Sequence, residues 1–412
     1  MSKLKDYCLN ITDGEHGSIS EDINGTYYLL NNNNITDRGI VINSGDRKIS
    51  FSDYKKIHKR TKLEKGDVVI ATCGTLGKTQ VITDEQPNYE FSRSVGIYKC
   101  DKTKLLPYFL HYAFMNPIAQ KKIINVSKGA VQKHFYIDDM AEFEIDIPSL
   151  EKQMQIVTLL KAIDAKISNN NRINAELESM AKTIYDYWFT QFDFPDENGK
   201  PYKSSGGKMV WNEELKREIP EGWGVGNLYN IADFINGLAC QKFRPKDDIH
   251  KLPVIKITEM HDGITENTEY VSDDISEKNI IIDGDILFSW SATLETMIWT
   301  GGKAGLNQHI FKVIPKINSK YYVYMQLSAY IINFIQMAEA RKTTMGHITT
   351  DHLKQSKIVL PPIDVSKRFD DEITVFFEKA ISNDVQNRKL ASLRDWLLPM
   401  LMNGQVGFEG VE

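Results

Sequence analysis

The amino-acid sequence predicts an α+β protein: two β-rich domains in pseudo-twofold arrangement, separated by two long antiparallel coiled-coil helices. Three observations predict it. The chain repeats itself at an offset of 213 residues, so that 134–188 lies on 347–401 without a gap. Each copy closes on a long apolar seam with a helical period. The part before each seam is made of short alternating runs broken by Gly, Asn and Asp. A chain of 412 residues also exceeds one ordinary domain of about 150 residues.

In the first β-rich domain, 1–148, alternation predicts strands at 26–30, 67–71, 80–83 and 95–100, with a helical stretch at 108–126. In the second, 218–361, it predicts strands at 254–258, 285–290, 297–300 and 309–314, with a helical stretch at 319–340. Gly66-Asp67-Val68-Val69-Ile70 answers to Gly284-Asp285-Ile286-Leu287-Phe288, and Asp13-Gly14 to Asn236-Gly237. The copies therefore share one plan, which an internal repeat is the first thing to reveal.

A first helix, 149–191, starts after the stop signal Ile147-Pro148-Ser149. Its seam runs Ile156, Leu160, Ile163, Ile167, Asn170, Asn174, Leu177, Ala181, Ile184 and Trp188, at alternating steps of four and three. A second, 362–404, starts after Leu360-Pro361-Pro362 with Phe369, Ile373, Phe376, Ala380, Asn383, Asn387, Leu390, Arg394, Leu397 and Leu401. Helices of about 35–40 residues would be about 55–60 Å long. Two asparagines at mid-seam in each copy give up stability to fix register or partner. Between the copies, 192–217 reads as a linker, polar and Gly-rich over 193–207.

Composition narrows the function. Charged residues make up 25% and hydrophobic residues 42%, as in a globular chain with real cores. No run of about 18 apolar residues exists to span a membrane, and the N-terminus has no apolar leader, so a cytoplasmic location is expected. Cys8, Cys73, Cys100 and Cys240 lie far apart in sequence without a CxxC pair. They read as packing residues, not as a disulfide framework or a zinc site.

Catalytic motifs are imitated but incomplete. Gly74-Thr75-Leu76-Gly77-Lys78-Thr79 ends like a phosphate-binding loop, but Thr72 stands where its first glycine should be, and a strand follows it instead of a helix. It reads as a hairpin, structural or with a DNA-facing tip that carries Lys78. Pro195-Asp196 and Glu214-Leu215-Lys216 mimic a metal-dependent nuclease from within the polar linker. Asn116-Pro117-Ile118 lacks the second proline and the aromatic residue of an adenine-methyltransferase clamp. The expectation is a chain with no catalytic residue, no cofactor and no metal.

Longer motifs carry a resemblance. Ile147-Pro148-Ser149-Leu150-Glu151-Lys152-Gln153 precedes a seam helix that holds Asn171-Arg172-Ile173-Asn174-Ala175-Glu176-Leu177-Glu178. Tyr187-Trp188-Phe189 and Phe192-Asp193-Phe194 follow, then Glu218-Ile219-Pro220-Glu221-Gly222-Trp223, and the chain closes on Leu397-Leu398-Pro399-Met400-Leu401-Met402-Asn403-Gly404. Over essentially its whole length the sequence resembles the specificity subunits of type I restriction–modification enzymes (the HsdS family). The first copy departs from the pattern by lacking the Ile-Pro-Glu-Gly-Trp opening. The resemblance implies two target-recognition domains that read the halves of a bipartite site in double-stranded DNA. It also implies docking of two methyltransferase subunits and, through them, of restriction subunits.

Candidate DNA contacts follow from position in the repeat. The loop with Lys128, Gln132, Lys133 and His134 answers to one with Arg341, Lys342, Thr343, Thr344 and His347, joining cations for phosphate to polar groups for base edges. Ser92-Arg93-Ser94 aligns with Asn307-Gln308-His309, polar triplets that differ between copies as two readers of different sequences would. Arg93 suits guanine, and Asn307 or Gln308 suits adenine. A polar turn that caps a strand explains each triplet equally well. The net charge of −5 and a pI near 6.0 stand against strong non-specific DNA affinity. They leave open a non-DNA-binding coiled-coil scaffold, beside the remoter alternative of a stand-alone duplicated nuclease or methyltransferase.

Overall fold

The computed structural model describes residues 1–36, 39–128, 133–317, 319–340 and 348–407. The chain forms two compact units. The first joins 1–168 to 390–412, and the second is 169–389.

Unit 1 is built on a four-stranded antiparallel sheet in the order Cys8–Asp13, Val95–Cys100, Val68–Ala71, Thr79–Val81. Unit 2 repeats that order with Ala232–Asn236, Ile310–Pro315, Ile286–Ser289 and Glu295–Ile298. In each unit a second sheet, of three strands in unit 1 and four in unit 2, hangs on a parallel pair, Tyr27–Leu30 with Tyr89–Phe91 and Lys251–Ile255 with Ala304–Leu306. The sheets are apolar because their central strands are buried on both faces: Val68, Val69, Ile70 and Ala71 are all fully enclosed.

The chain reaches the second sheet by crossing close to its neighbour, and two glycines make this possible. A Cβ on Gly14 would sit 2.1 Å from the Phe91 carbonyl oxygen, and one on Gly237 2.1 Å from that of Asn307. The expected strand at 254–258 ends at Ile255, because Glu259 accepts the Lys256 backbone N–H at 3.1 Å and starts the helix Ile257–Asp262. The strand expected at 297–300 is Glu295–Ile298.

The helical stretch at 108–126 is two helices, Pro107–Met115 and Pro117–Val126. Pro117 cannot continue the first, and the Asn116 side chain accepts the Ile118 N–H to cap the second. Its counterpart Lys320–Ala340 has no internal proline and is continuous.

The long helices span Leu150–Tyr185 and Ile363–Met402. Each contributes to both units. In unit 1, Ile156 and Leu160 pack in one cluster with Leu398 and Leu401, and Arg394 pairs with Asp164 at 3.0 Å. In unit 2, Ala181 and Tyr185 share a core with Phe369, Ile373 and Phe377. The seam asparagines are paired across the helices. Asn170 donates to Asn387 and Gln386, each at 2.8 Å, Asn174 to Asp384 at 2.7 Å, and Asn383 to Asn174 at 2.8 Å. Each donor thus finds a fixed acceptor, which an apolar seam could not specify.

The stretch read as a tether is folded. Phe192 and Phe194 are buried against Trp223, and Asp193 takes the N–H and hydroxyl of Ser204 at 2.6 Å each. A hairpin, Met209–Asn212 with Arg217–Pro220, completes it. Its polar composition hid two aromatic anchors, Phe192 and Phe194, that belong to the core of unit 2. Among the described residues no helix is long and apolar enough to cross a membrane, and no group of three or more His, Cys, Asp or Glu could hold a metal ion.

Candidate nucleic-acid interface

In unit 1 three segments meet at one end of the main sheet, and Thr72 ties them together. Its N–H donates to the Ser94 carbonyl and its own carbonyl accepts the Phe135 N–H, both at 2.9 Å. The first segment is the turn 72–78, closed by Gly77 N–H to Ala71 O at 2.9 Å and Ala71 N–H to Lys78 O at 2.7 Å. Gly74 and Gly77 take φ of +66° and +84°, which glycine adopts freely. The turn runs straight into the strand Thr79–Val81, so the phosphate-loop likeness is a hairpin turn, with Lys78 exposed at its end.

The second segment is the triplet. The Arg93 N–H donates to Glu15 O at 2.9 Å, which fixes the backbone and leaves the side chain exposed. Ser92 and Ser94 hydroxyls bond each other at 2.9 Å, and Ser94 Oγ accepts the Asn32 N–H at 3.1 Å. The third segment is the loop after the helix Pro117–Val126. Lys128 and His134 exchange backbone hydrogen bonds at 3.0 and 2.8 Å and close its base. Lys128 pairs with Asp139 at 3.2 Å, Lys133 Nζ donates to Ile124 O at 2.8 Å, and His134 stacks on the exposed ring of Tyr136.

Unit 2 repeats three backbone bonds of this constellation. Trp290 stands where Thr72 does: its N–H donates to His309 O at 3.3 Å, and its carbonyl accepts the Ile348 N–H at 2.9 Å. The Gln308 N–H donates to Leu238 O at 2.8 Å, as that of Arg93 does to Glu15. Arg93 and Gln308 therefore occupy the same backbone position in two frames. Asn307 is turned inward, 7% exposed, with its Oδ1 accepting the His309 N–H at 3.3 Å, so its amide serves the turn. Gln308 and His309 are half-buried, with side chains 3.3 Å apart. Gln132, Arg341, Lys342, Thr343, Thr344 and His347 lie outside the described residues.

Some participants carried no sequence signal strong enough to single them out. Trp290 lies 5.4 Å from the His309 ring and donates through Nε1 to Asn236 at 3.2 Å. Asn32 enters the same way, through Ser94 and Thr75, whereas Tyr136 enters through its near neighbour His134. Aligning the two copies at Thr72 and Trp290 would have found the tryptophan. The basic run at 55–62 is the helix Phe51–Thr61, with Lys55, Lys56 and Lys59 exposed. Its His58 faces inward to the fully buried Glu90 at 2.7 Å, whose carboxyl burial pushes up.

Residues 17–179 and 220–394 match the family model of the type I restriction modification DNA specificity domain, once in each copy. The chain belongs to that family. Curated specificity subunits are similar over most of their length. The Type I restriction enzyme MjaIX specificity subunit of Methanocaldococcus jannaschii is 24% identical, over 90% of this chain and 84% of that one. The HindI specificity subunit of Haemophilus influenzae is 23% identical, over 98% and 100%. The crystal structure of a type I system S subunit from M. genitalium has the same fold, with a TM-score of 0.56 at 14% identity over 97% of this chain and 95% of that chain. For a DNA-specificity family member, the paired constellation is the natural place to look for readout.

Proposed function

We propose that this chain reads a bipartite site in double-stranded DNA, with 1–148 and 218–361 as its two target-recognition domains. In this reading it positions two methyltransferase subunits and, through them, restriction subunits, and supplies no catalytic group of its own. One observation carries it: a single backbone frame is built twice, with arginine at the reading position in one copy and glutamine in the other. The frame gives geometry and the side chain gives preference, guanine for Arg93 and adenine for Gln308. Lys78, Lys128 and Lys133 supply phosphate contacts that set register without carrying sequence information. Such a complex would work in the cytoplasm, where the DNA is. The acidic net charge is the one observation on the side of the scaffold reading, and the stand-alone enzyme reading has none.

The test is selection from a randomised duplex library by the chain assembled with its methyltransferase subunit. A split motif with a constant gap is expected. An intact complex that enriches no motif would overturn the proposal.

A further inference from the structure

Two of the four cysteines are not the isolated packing residues that their spacing suggests. Cys8 and Cys100 are register partners across the antiparallel pair Cys8–Asp13 and Val95–Cys100. The register slips between Lys99 and Cys100, which leaves Leu9 as the extra residue of a bulge, 76% exposed. Before the bulge the Gly14 N–H donates to Val95 O at 3.0 Å, and beyond it the Asp101 N–H donates to Tyr7 O at 2.9 Å, so the odd residues 95 and 101 bond towards this neighbour while the Tyr7 N–H turns back to Leu4 O. The adjacent cysteines therefore occupy a non-hydrogen-bonded position, where Cα atoms sit about 4.5 Å apart and side chains are closest. That spacing falls inside the range a disulfide accepts, about 4.4–6.8 Å.

The two thiols differ in access. Cys100 is buried, and its thiol is held protonated by its hydrogen bond with Cys8 and by burial. Cys8 is half-buried and within reach of a small oxidant. We propose that Cys8 and Cys100 form an oxidation-sensitive pair that closes to a cross-strand disulfide in the first domain. With a peroxide as the two-electron oxidant, the Cys8 thiol gives up its proton and its sulfur attacks one peroxide oxygen; the S–O bond forms, the O–O bond breaks, and the hydroxide released takes up that proton, giving a Cys8 sulfenic acid and one water. Cys100 sulfur then attacks Cys8 sulfur; the S–S bond forms, the S–OH bond breaks, and the thiol proton leaves with hydroxide as a second water. Two thiols lose two electrons and two protons, and peroxide is reduced to two waters.

The test is treatment of the full-length chain with hydrogen peroxide, then alkylation under denaturing conditions, proteolysis and mass spectrometry. The expected product is a peptide pair joined through Cys8 and Cys100, two hydrogens lighter than the two free peptides and separated by dithiothreitol. Cys8→Ser should abolish it and leave Cys100 open to alkylation, whereas Cys73→Ser should leave it unchanged. The proposal is overturned if Cys8 proceeds to sulfinic acid while Cys100 remains alkylatable, or if either residue pairs with Cys73 or Cys240 instead.

Discussion

At the scale of single residues, the two reading positions should separate in experiment. Arg93→Ala is expected to cost about 1–3 kcal/mol in binding and to relax preference at one position of one half-site only. Gln308→Ala should do the same in the other half-site, read from library selection with each variant. Lys128→Ala belongs to a different class, because a phosphate contact weakens all sequences alike and lowers the salt dependence of affinity. What the sequence made legible here was equivalence. Ser92-Arg93-Ser94 and Asn307-Gln308-His309 align from spacing alone, and the bonds of Arg93 and Gln308 to Glu15 and Leu238 agree. Rotamers were illegible: nothing in the spacing says that Asn307 turns inward to its own turn while Arg93 stays exposed. That difference is decided by neighbours brought from far along the chain.

At the scale of elements, the long helices were the most readable part, although Phe377 and Leu398 are buried in place of the expected Phe376 and Leu397, and the first helix ends at Tyr185, short of the expected 191. The mid-seam asparagines form a cross-helix lattice in which each amide depends on the next. Asn383→Leu alone strands the Asn174 oxygen it serves and should lower unit 2 stability by about 1–3 kcal/mol. Asn174→Leu with Asn383→Leu together should cost less than the sum, which a double-mutant cycle in urea would measure. The tether at 193–207 misled because composition weighs residues equally, whereas folding does not: Phe194, with Phe192 just before it, packs on Trp223 and outweighs a dozen polar neighbours. In the same unit Asp370 takes the N–H groups of Tyr321 and Tyr322 at 3.1 and 2.8 Å and caps Lys320–Ala340. Removing that cap with Asp370→Ala should cost about 1–2 kcal/mol.

At the scale of the whole molecule, two buried groups should answer acid in opposite directions, His111 in unit 1 and Asp384 in unit 2. In unit 1, burial holds His111 at about 4, below its ordinary 6.5, so only the unfolded chain takes up the proton between those values. Stability that is complete above pH 6.5 is lost as the pH falls towards 4. In unit 2, burial first and Glu178 second push Asp384 up to about 6, from 3.8. There the folded chain binds the proton more readily, so a penalty present above pH 6 is relieved as the pH falls. Hydrogen exchange at pH 7 and pH 5, corrected for intrinsic rates, should show a weakening carried by His111 in unit 1, offset in part by the raised carboxyls of Glu90 and Asp67, and a strengthening carried by Asp384 in unit 2. The difference is about 1–2 kcal/mol each once solvent screening is allowed for. His111→Leu should flatten the first response and Asp384→Asn the second.

The composition of unit 1 also bears on how a ribosome delivers it. Its core includes Leu398 and Leu401, and Asp164 waits for Arg394, 230 residues downstream. Unit 2 is one unbroken stretch and can close as soon as it has emerged. The segment made first is therefore finished last. Through most of synthesis the nascent chain carries Ile156 and Leu160 without the residues that cover them, an interval in which premature pairing with another copy's seam is a hazard. Released chains truncated after residue 389 should keep unit 2 resistant to protease, while the helix around Ile156 and Leu160 is cut faster than in the full chain.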